Sequence, residues 1–333
     1  MAAPAKLVFC GTPNFAVPTL GALLAAGHEI ALVVSQPDRP LGRSRQLTAP
    51  PVKQAAIAAG LPVTQPGKIR DNPEFRAQLE AIAPNAIVVV AYGRIIPPWM
   101  LALPQLGCIN LHGSLLPKYR GAAPIQWAVA MGDAFTGNTT MLLEEGLDTG
   151  PILLQQTLAI APNQTAVDLF GLLARSGAPL LVETLTGLAN GTIHPQPQNH
   201  SFATFAPLLN REDGRMDFAA RTATELKNRW RGFQPWPGAF TVLDGKKLIV
   251  HRMEVAAPPR STESGPTGPG PAFPGQLRIE NHRLFVRCAE STWLEFLELQ
   301  LEGKKRLTAA EFLRGAATAT GLASNAQPSV RLG

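Results

Sequence analysis

The sequence predicts an α/β fold for the first half of the chain and a mostly β fold for the second half. Over residues 1–160, short apolar runs without charge alternate with helix-like segments, a pattern typical of a doubly wound, mostly parallel sheet. Beyond about residue 207, strand-like runs separated by turn residues predominate. A polar segment with several Pro and Asn residues at 190–207, NGTIHPQPQNHSFATFAP, lies between the two patterns and predicts a linker.

The elements of the first half follow from these runs in order. Buried strands are predicted at KLVFCG (6–11), IALVVSQ (30–36), AIVVVAYG (86–93) and GCINLHG (107–113). Helices are predicted at 15–27, which Gly27 closes, and at 51–60, 71–83 and 165–188. The runs NTTMLLEEG and PILLQQTLAI flank residues 147–150 and predict a β-hairpin or a sheet edge.

The second half reads as a small barrel of about five strands. In AFTVL-DG-KKLIVHR the Asp244-Gly245 pair suits the tight turn of a hairpin, and QLRIENHRLFVRCAE and WLEFLELQL give further strands. Residues 256–274 are rich in Pro, Gly and Ser and predict a flexible surface loop. Thr308 and Glu311 form a capping box for a short helix at 309–316. We therefore expect domains at 1–189 and 208–333, joined by the linker at 190–207.

Composition restricts the class of protein. Hydrophobic residues make up 45% of the 333 residues, enough for a sizeable core, and charged residues only 16%, which argues against a disordered chain or a coiled coil. The three cysteines are odd in number and widely spaced, so neither a disulfide framework nor a zinc site is indicated and a reducing compartment is expected. No run of 18 apolar residues occurs, so we expect no membrane span.

The net charge of +6 is unevenly distributed. Residues 1–207 carry 12 Lys and Arg against 11 Asp and Glu, whereas residues 208–333 carry 18 against 13. A basic second half is compatible with binding of a polyanion, and a solvated basic surface is the alternative reading.

Three polar residues lie at or after predicted strand ends, where open α/β sheets bind their ligands: Asn110, His112 and Asp148. Asn110 and His112 are two residues apart, so both side chains point to one side of an extended strand. An amide donates a hydrogen bond to a developing oxyanion, an imidazole donates or accepts a proton, and a carboxylate orients the imidazole. No activated side-chain nucleophile is evident, because Ser114 lacks a G-x-S-x-G elbow, which favours direct transfer between two bound substrates.

Each of these residues also has a purely structural interpretation. Asn110 could cap a turn, His112 could be a satisfied core histidine, and Asp148 before Thr-Gly could form an Asx-turn. A metal site built on Cys108 and His112 lacks further ligands in the sequence. A nicotinamide site is disfavoured because GTPNF rather than G-x-G-x-x-G follows the first strand, although Asp38 lies where a ribose-binding acid is found.

Longer motifs give a more specific indication. HGSLLPKYRGAAPIQWA, preceded by Asn110 and followed by GLDTGP, resembles the folate-dependent formyltransferases. FCGTPNFAVPTL, SQPDRPLGR, VVVAYGRIIP and RGFQPWPGAFT extend the resemblance from residue 6 to about 316. SQPDRPLGR and the WPGAF segment resemble the members that act on a tRNA.

The resemblance implies a Rossmann-like formyltransferase domain at 1–189 followed by an OB-like β-barrel at 208–333 that binds tRNA. It implies formyl transfer from 10-formyltetrahydrofolate to the α-amine of initiator methionyl-tRNA, for translation initiation. The catalytic Asn, His and Asp of the family match Asn110, His112 and Asp148. It also implies a monomeric, cytoplasmic enzyme of bacterial type that uses no metal.

Two binding regions follow from the same match. The folate pocket matches Tyr92, Gly93, Arg94 and Ile95 together with Ser114, Leu115, Leu116 and Pro117. The loop expected to reach the tRNA acceptor stem matches residues 36–50, with Arg39, Arg43 and Arg45 as its basic members. In the barrel, the basic residues predicted to contact phosphates are Lys227, Arg229, Arg231, Lys246, Lys247, Lys304, Lys305 and Arg306. For Trp230 and Trp236, core packing is favoured over stacking on a base.

Three alternatives differ from this reading. A formyltransferase acting on a ribonucleotide or an amino sugar would share the chemistry but not the acceptor. A catalytically idle RNA-binding protein would not need the Asn, His and Asp set. A nicotinamide oxidoreductase would need the missing glycine fingerprint.

Overall fold

The computed structural model describes residues 4–41, 46–259, 273–316 and 332. These residues form two compact units, one from the described parts of Met1–Ala128 and Ala134–Leu208 and the other from those of Val129–Asp133 and Leu209–Gly333. Arg43, Arg45 and most of the predicted 256–274 loop lie outside the described residues.

The first unit is built on a mostly parallel sheet. Its strands and those of a small separate ribbon are β1 Lys6–Gly11, β2 Glu29–Val34, β3 Arg39–Leu41, β4 Gln46–Thr48, β5 Val63–Thr64, β6 Ala86–Val90, β7 Cys108–His112, β8 Phe135–Leu142 and β9 Ile152–Ala159. The sheet order is β5-β2-β1-β6-β7-β8-β9, with β3 and β4 paired apart from it. β8 and β9 run antiparallel at the edge, as the sequence predicted. The four apolar runs chosen from the sequence are all strands of this sheet.

Helices of the first unit cover both faces of the sheet. They are α1 Val17–Ala25, α2 Pro51–Ala58, α3 Pro73–Ile82, α4 Pro98–Leu101, α5 Pro124–Ala130, which extends into the second unit, and α6 Ala166–Ala189. Val8 and Cys10 share a core cluster with Phe75 and Leu79 of α3. On the other face α6 lies so close to the sheet that a Cβ on Gly177 would be 2.8 Å from a methyl carbon of Leu111. Thr165 begins α6 with the capping box typical of a helix N-terminus.

The second unit contains an antiparallel, OB-like sheet and two short helices. Its elements are α7 Ala223–Gly232, β10 Phe240–Leu243, β11 Lys246–Ala256, β12 Leu277–Glu280, β13 Arg283–Arg287, β14 Trp293–Leu301, β15 Leu307–Thr308 and α8 Ala309–Ala316. The order is β10-β11-β14-β13-β12, and β15 also pairs with β14, so the described residues give six strands where about five were predicted. The capping box of Thr308 and Glu311 forms as predicted.

Two features of the second unit were not predicted. α7 lies in a region that the sequence indicated to be mostly β, so this helix was not predicted. Trp230 packs against the core, as expected, but Trp236 is 56% exposed, so the expectation of a core residue was wrong there.

Candidate active site

Asn110 and His112 lie side by side at the carboxyl end of a central strand. Both belong to β7, where Asn110 pairs with Val89 of β6 and His112 pairs with Thr139 of β8. They are only 9% and 6% exposed, yet both line a cavity of about 710 Å³. That volume lies within the range of roughly 300–1,000 Å³ typical of small-molecule sites.

The His112 ring is held by a backbone carbonyl. Its Nε2 lies 2.9 Å from the carbonyl oxygen of Tyr119, which only accepts, so Nε2–H is the donor. Tyr119 has a positive φ of 62°. Nδ1 is therefore the ring nitrogen that remains for chemistry, and it lies 3.8 Å from Oδ2 of Asp148. This distance is longer than a hydrogen bond, so Asp148 faces the imidazole without fixing it, contrary to the expectation that the carboxylate orients the ring.

Asp148 completes the group from the loop between β8 and β9. Its backbone is left-handed, with φ of 50°, as expected for the turn that Leu147-Asp148-Thr149-Gly150 predicted. Its Oδ2 accepts a hydrogen bond of 2.7 Å from the backbone N–H of Gly121. Two backbone segments thus bring the carboxylate to the cavity wall beside His112 and Asn110.

The predicted residues 92–95 form another wall of the same cavity. The amide nitrogen of Gln36 donates to the carbonyls of Tyr92 and Gly93, at 3.2 and 3.3 Å, and its oxygen accepts from Arg94. The Thr12 hydroxyl also donates to the Tyr92 carbonyl, at 3.0 Å. The sequence indicated the wall but not Gln36 and Thr12, which hold it from 56 and 80 residues away.

The second predicted folate segment, Ser114–Pro117, does not line the cavity. Leu116 is bound through its N–H to the Thr139 hydroxyl and through its carbonyl to the Gln155 amide. The Ser114 hydroxyl donates to the Lys118 carbonyl, at 2.6 Å. These bonds hold Leu116 against β8 and β9.

Sequence reasoning overlooked most of the apolar lining. The additional lining residues include Phe15, Ile96, Ile125, Leu143, Leu147, Phe170 and Leu208. They come from separate helices and loops, so no local pattern joins them. Phe15, Ile96, Ile125 and Leu147 lie within motifs quoted from the sequence, but no role was assigned to them there.

The alternative chemistries find little support in the geometry. Burial raises the pKa of the Cys108 thiol to about 12, so the thiol stays protonated near neutral pH and is not an activated nucleophile. Asp38 is paired with Lys53, at 2.8 Å, and this bond with one from Gln65 lowers the pKa of the carboxyl. Within the described residues there is no group of three or more His, Cys, Asp and Glu able to hold a metal, and no helix long and apolar enough to cross a membrane.

Five of the nine described basic residues that were predicted to contact tRNA are exposed. Arg39, Lys246, Lys304, Lys305 and Arg306 are exposed. Arg306 pairs with Glu298, so its charge is partly compensated.

The remaining basic residues interact with neighbouring residues of the second unit. Lys227 forms an ion pair with Glu254, and Arg229 donates to the Asp213 carbonyl, at 3.0 Å. The Lys247 ammonium lies 3.8 Å from the centre of the Phe240 ring, and burial lowers its pKa. Arg231 is 5% exposed and donates to Asn228 within α7. Its inclusion among phosphate-binding residues conflicts with this burial, because a guanidinium packed inside the unit cannot reach a polyanion.

Comparison with known proteins identifies the family of this chain. The formyl transferase family model matches residues 5–185, and that of the formyl transferase C-terminal domain matches residues 208–317. A methionyl-tRNA formyltransferase of Acidobacterium capsulatum is 64% identical over 310 residues, which cover 93% of this chain and 96% of the relative. One of Koribacter versatilis is 57% identical over 309 residues, covering 93% and 95%.

A solved structure shares the fold at low identity. The N-formyltransferase of Helicobacter canadensis, in complex with folinic acid and dTDP-3-aminofucose, superposes with a TM-score of 0.61 at 18% identity and covers 88% of this chain and 98% of its own. Both family models match in order, and identity to the curated relatives extends over nearly their whole length. The chain therefore belongs to the formyl transferase family, in its methionyl-tRNA formyltransferase branch.

Proposed function

We propose that this protein transfers the formyl group of 10-formyltetrahydrofolate to the α-amine of initiator methionyl-tRNA, for translation initiation. The observation that carries the proposal is the convergence of Asn110, His112 and Asp148 on one cavity, in a chain 64% identical to a methionyl-tRNA formyltransferase. We assign catalysis to these residues, and we assign residues 1–189 to the catalytic domain, 190–207 to the connection and 208–333 to the tRNA-binding domain. A monomeric, cytoplasmic enzyme without a metal is part of the same proposal.

The reaction begins when the neutral α-amine adds to the formyl carbon and the carbonyl electrons move onto oxygen. Asn110 donates an amide N–H to this oxyanion. His112 has Nε2–H committed to Tyr119, so we assign the hydrogen bond to the oxyanion to Nδ1, which lies 3.8 Å from the Asp148 carboxylate. Collapse of the intermediate re-forms the carbonyl and breaks the bond between carbon and the folate nitrogen.

The proton leaving the amine needs an acceptor. Asp148 has one oxygen occupied by the Gly121 N–H, while its Oδ1 makes no hydrogen bond to any described residue. We assign Oδ1 to take this proton and to pass it to the folate nitrogen that leaves. Proton balance is then kept within the two substrates and Asp148.

The formyl donor fits the lining of the cavity. Residues 92–95 offer backbone groups at the wall that Gln36 holds, and the Phe15 and Phe170 rings, 6.0 Å apart, offer apolar surface. The fold neighbour from Helicobacter canadensis is complexed with folinic acid, a related formyl folate. We keep Tyr92, Gly93, Arg94 and Ile95 in the folate site and leave out 114–117.

The acceptor is assigned from the relatives and from charge. Arg39, Lys246, Lys304 and Lys305 are exposed cations suited to phosphate contacts, and Arg43 and Arg45 join them from the sequence. A ribonucleotide or amino-sugar acceptor would not require this basic surface.

The test compares acceptors and a variant. We expect formyl transfer from 10-formyltetrahydrofolate to initiator methionyl-tRNA, little transfer to elongator methionyl-tRNA, and none to an amino sugar. His112→Ala should fold normally and lose transfer by roughly 10²–10³. Near-normal turnover of purified His112→Ala would remove His112 from the mechanism, and preferred transfer to the sugar amine would refute the proposed acceptor.

A further inference from the structure

The segment predicted as a linker contacts the loop that carries Asp148. Gln196 and Ile152 exchange backbone hydrogen bonds, both 2.8 Å, so this part of 190–207 pairs with β9. Two residues further on, Gln198 is only 5% exposed, while Gln196 and the residues on either side of Gln198 are exposed. A single glutamine of this segment is thus directed into the first unit.

The amide of Gln198 makes four hydrogen bonds. Its nitrogen donates to the carbonyls of Asp148, at 2.9 Å, and Gly150, at 2.7 Å. Its oxygen accepts two hydrogen bonds from the Arg120 guanidinium, at 3.1 and 2.6 Å. Every hydrogen-bonding site of the side chain is therefore used, which fixes its orientation without ambiguity.

Arg120 connects this glutamine to the other anchor of Asp148. It is 4% exposed and precedes Gly121, whose N–H holds the Asp148 carboxylate at 2.7 Å. Among the described residues its side-chain partners are Gln198 and Nδ1 of His200, at 3.1 Å, and none is a carboxylate. A buried guanidinium without a carboxylate partner is costly, so its retention calls for a local purpose.

We propose that Gln198 and Arg120 are positioning residues, which set the location of the Asp148 carboxylate by holding the backbone on both sides of it. Gln198 fixes the carbonyls of Asp148 and Gly150, and Arg120 fixes Gln198. The left-handed conformation of Asp148, with φ of 50°, costs about 1 kcal/mol and persists only where surrounding contacts determine it. This inference depends on the proposed function, because it assumes that Asp148 takes part in transfer.

Gln198→Glu is the most informative variant. The carboxylate keeps both acceptor bonds to Arg120, so the buried charge remains paired. The glutamate has no N–H to donate to the carbonyls of Asp148 and Gly150, and it places negative charge against them. Only the two hydrogen bonds that hold the Asp148 loop are therefore lost. Gln196→Glu is the matched control, since Gln196 is exposed, lies two residues away and makes one side-chain bond, to the His194 carbonyl.

We expect Gln198→Glu to lower kcat by roughly 10²-fold, the effect typical of misplacing a catalytic group by about 1 Å. The KM for each substrate should stay within about threefold of wild type, since neither residue lines the cavity. In an Asp148→Asn background, Gln198→Glu should cost nothing further, because it acts only through that carboxylate. Amide hydrogen exchange of the peptide spanning 143–150 should be faster in Gln198→Glu than in wild type or Gln196→Glu.

Wild-type kcat in Gln198→Glu, or a loss that multiplies with that of Asp148→Asn, would overturn the inference while leaving the proposed function intact. Full activity of Asp148→Asn would instead remove Asp148 from the mechanism, and the inference with it, whereas a wild-type protein that transfers no formyl group to initiator methionyl-tRNA would overturn the proposed function. If Gln198→Glu does not fold, Arg120→Lys decides by the same cycle. Arg120→Lys keeps the positive charge, but a lysine cannot donate two parallel hydrogen bonds to the Gln198 oxygen as arginine does. A loss of kcat that disappears in the Asp148→Asn background would support the inference. An unchanged kcat would overturn it.

Discussion

Two buried asparagines on neighbouring strands of the sheet should respond oppositely to substitution. Asn110 of β7 lines the cavity and makes no side-chain hydrogen bond to a described residue. Asn138 of β8 is fully buried, and its Nδ2 donates to the Leu173 carbonyl, at 2.9 Å, and to the Ser176 hydroxyl, at 3.0 Å. We predict that Asn110→Ala lowers kcat by roughly 10²–10³ with little loss of stability, and that Asn138→Ala lowers stability with little loss of kcat.

The magnitudes follow from what each change removes. Loss of one oxyanion donor at Asn110 lowers kcat by roughly 10²–10³, about 2.7–4 kcal/mol of transition-state stabilisation. No described group loses a hydrogen-bond partner, so the free energy of unfolding should fall by less than it does in Asn138→Ala. Asn138→Ala removes two buried hydrogen bonds of about 1 kcal/mol each and lowers the free energy of unfolding by about 2 kcal/mol.

The assay measures both quantities on the same preparations. Single-turnover formyl transfer with saturating substrates gives the chemical step, and thermal unfolding gives stability, with a drop in Tm of roughly 4 °C expected for Asn138→Ala. If Asn110→Ala kept more than a tenth of the wild-type rate, the oxyanion assignment would be refuted. If Asn138→Ala lost as much activity as Asn110→Ala, the contrast between structural and catalytic asparagines would not hold.

Four further variants test other parts of the reasoning. Gln36→Leu removes the bonds that hold residues 92–94, so the KM for folate should rise about tenfold with little change in the KM for tRNA, as steady-state kinetics would reveal. Arg43→Ala should raise the KM for tRNA and leave folate affinity unchanged; a change in folate affinity alone would contradict the loop assignment. Lys246→Ala should make the slope of log binding constant against log salt concentration for tRNA shallower by about one, because one phosphate contact is lost. An unchanged slope would show that Lys246 does not contact the tRNA. Hydrogen bonds from the Thr165 backbone and hydroxyl lower the pKa of the Asp168 carboxyl from 3.8. The ionised carboxylate therefore stabilises the fold above pH 3.8, and this stabilisation is lost as the pH falls through the folded-state pKa. In Asp168→Asn, Tm should fall less between pH 6 and roughly pH 3 than it does in wild type.

Local pattern was enough to place the candidate catalytic groups. Asn110 and His112 share a face because side chains alternate along a strand, and the apolar run before them identified that strand. The turn at 147–150 was visible from Asp-Thr-Gly after an apolar residue. Each of these signals lies within about ten residues of the group that it predicts.

The contacts that hold those groups were not predictable in the same way. Gln36 and Gln198 act on carbonyls 48 to 57 residues away, and a glutamine in a polar stretch gives no sign of its partner. The position of 114–117 depends on Thr139 and Gln155, which become neighbours only when β8 and β9 pair beside β7. Arg231 was assigned to the surface because the helix that buries it was not predicted.

From the sequence, a turn-forming role and a catalytic role of Asp148 were alternatives. In the structure the two roles are compatible, because the turn determines where the carboxylate lies. The turn is tightly determined, since a Cβ on Gly150 would lie 1.9 Å from the Leu142 carbonyl oxygen and one on Gly146 would lie 2.0 Å from the Thr149 hydroxyl. A side chain at either position would force the loop to move, and with it the carboxylate that faces His112. Because a loop this constrained keeps Asp148 left-handed before substrate arrives, the carboxylate needs no rearrangement at the moment of reaction, which is what electrostatic preorganisation requires.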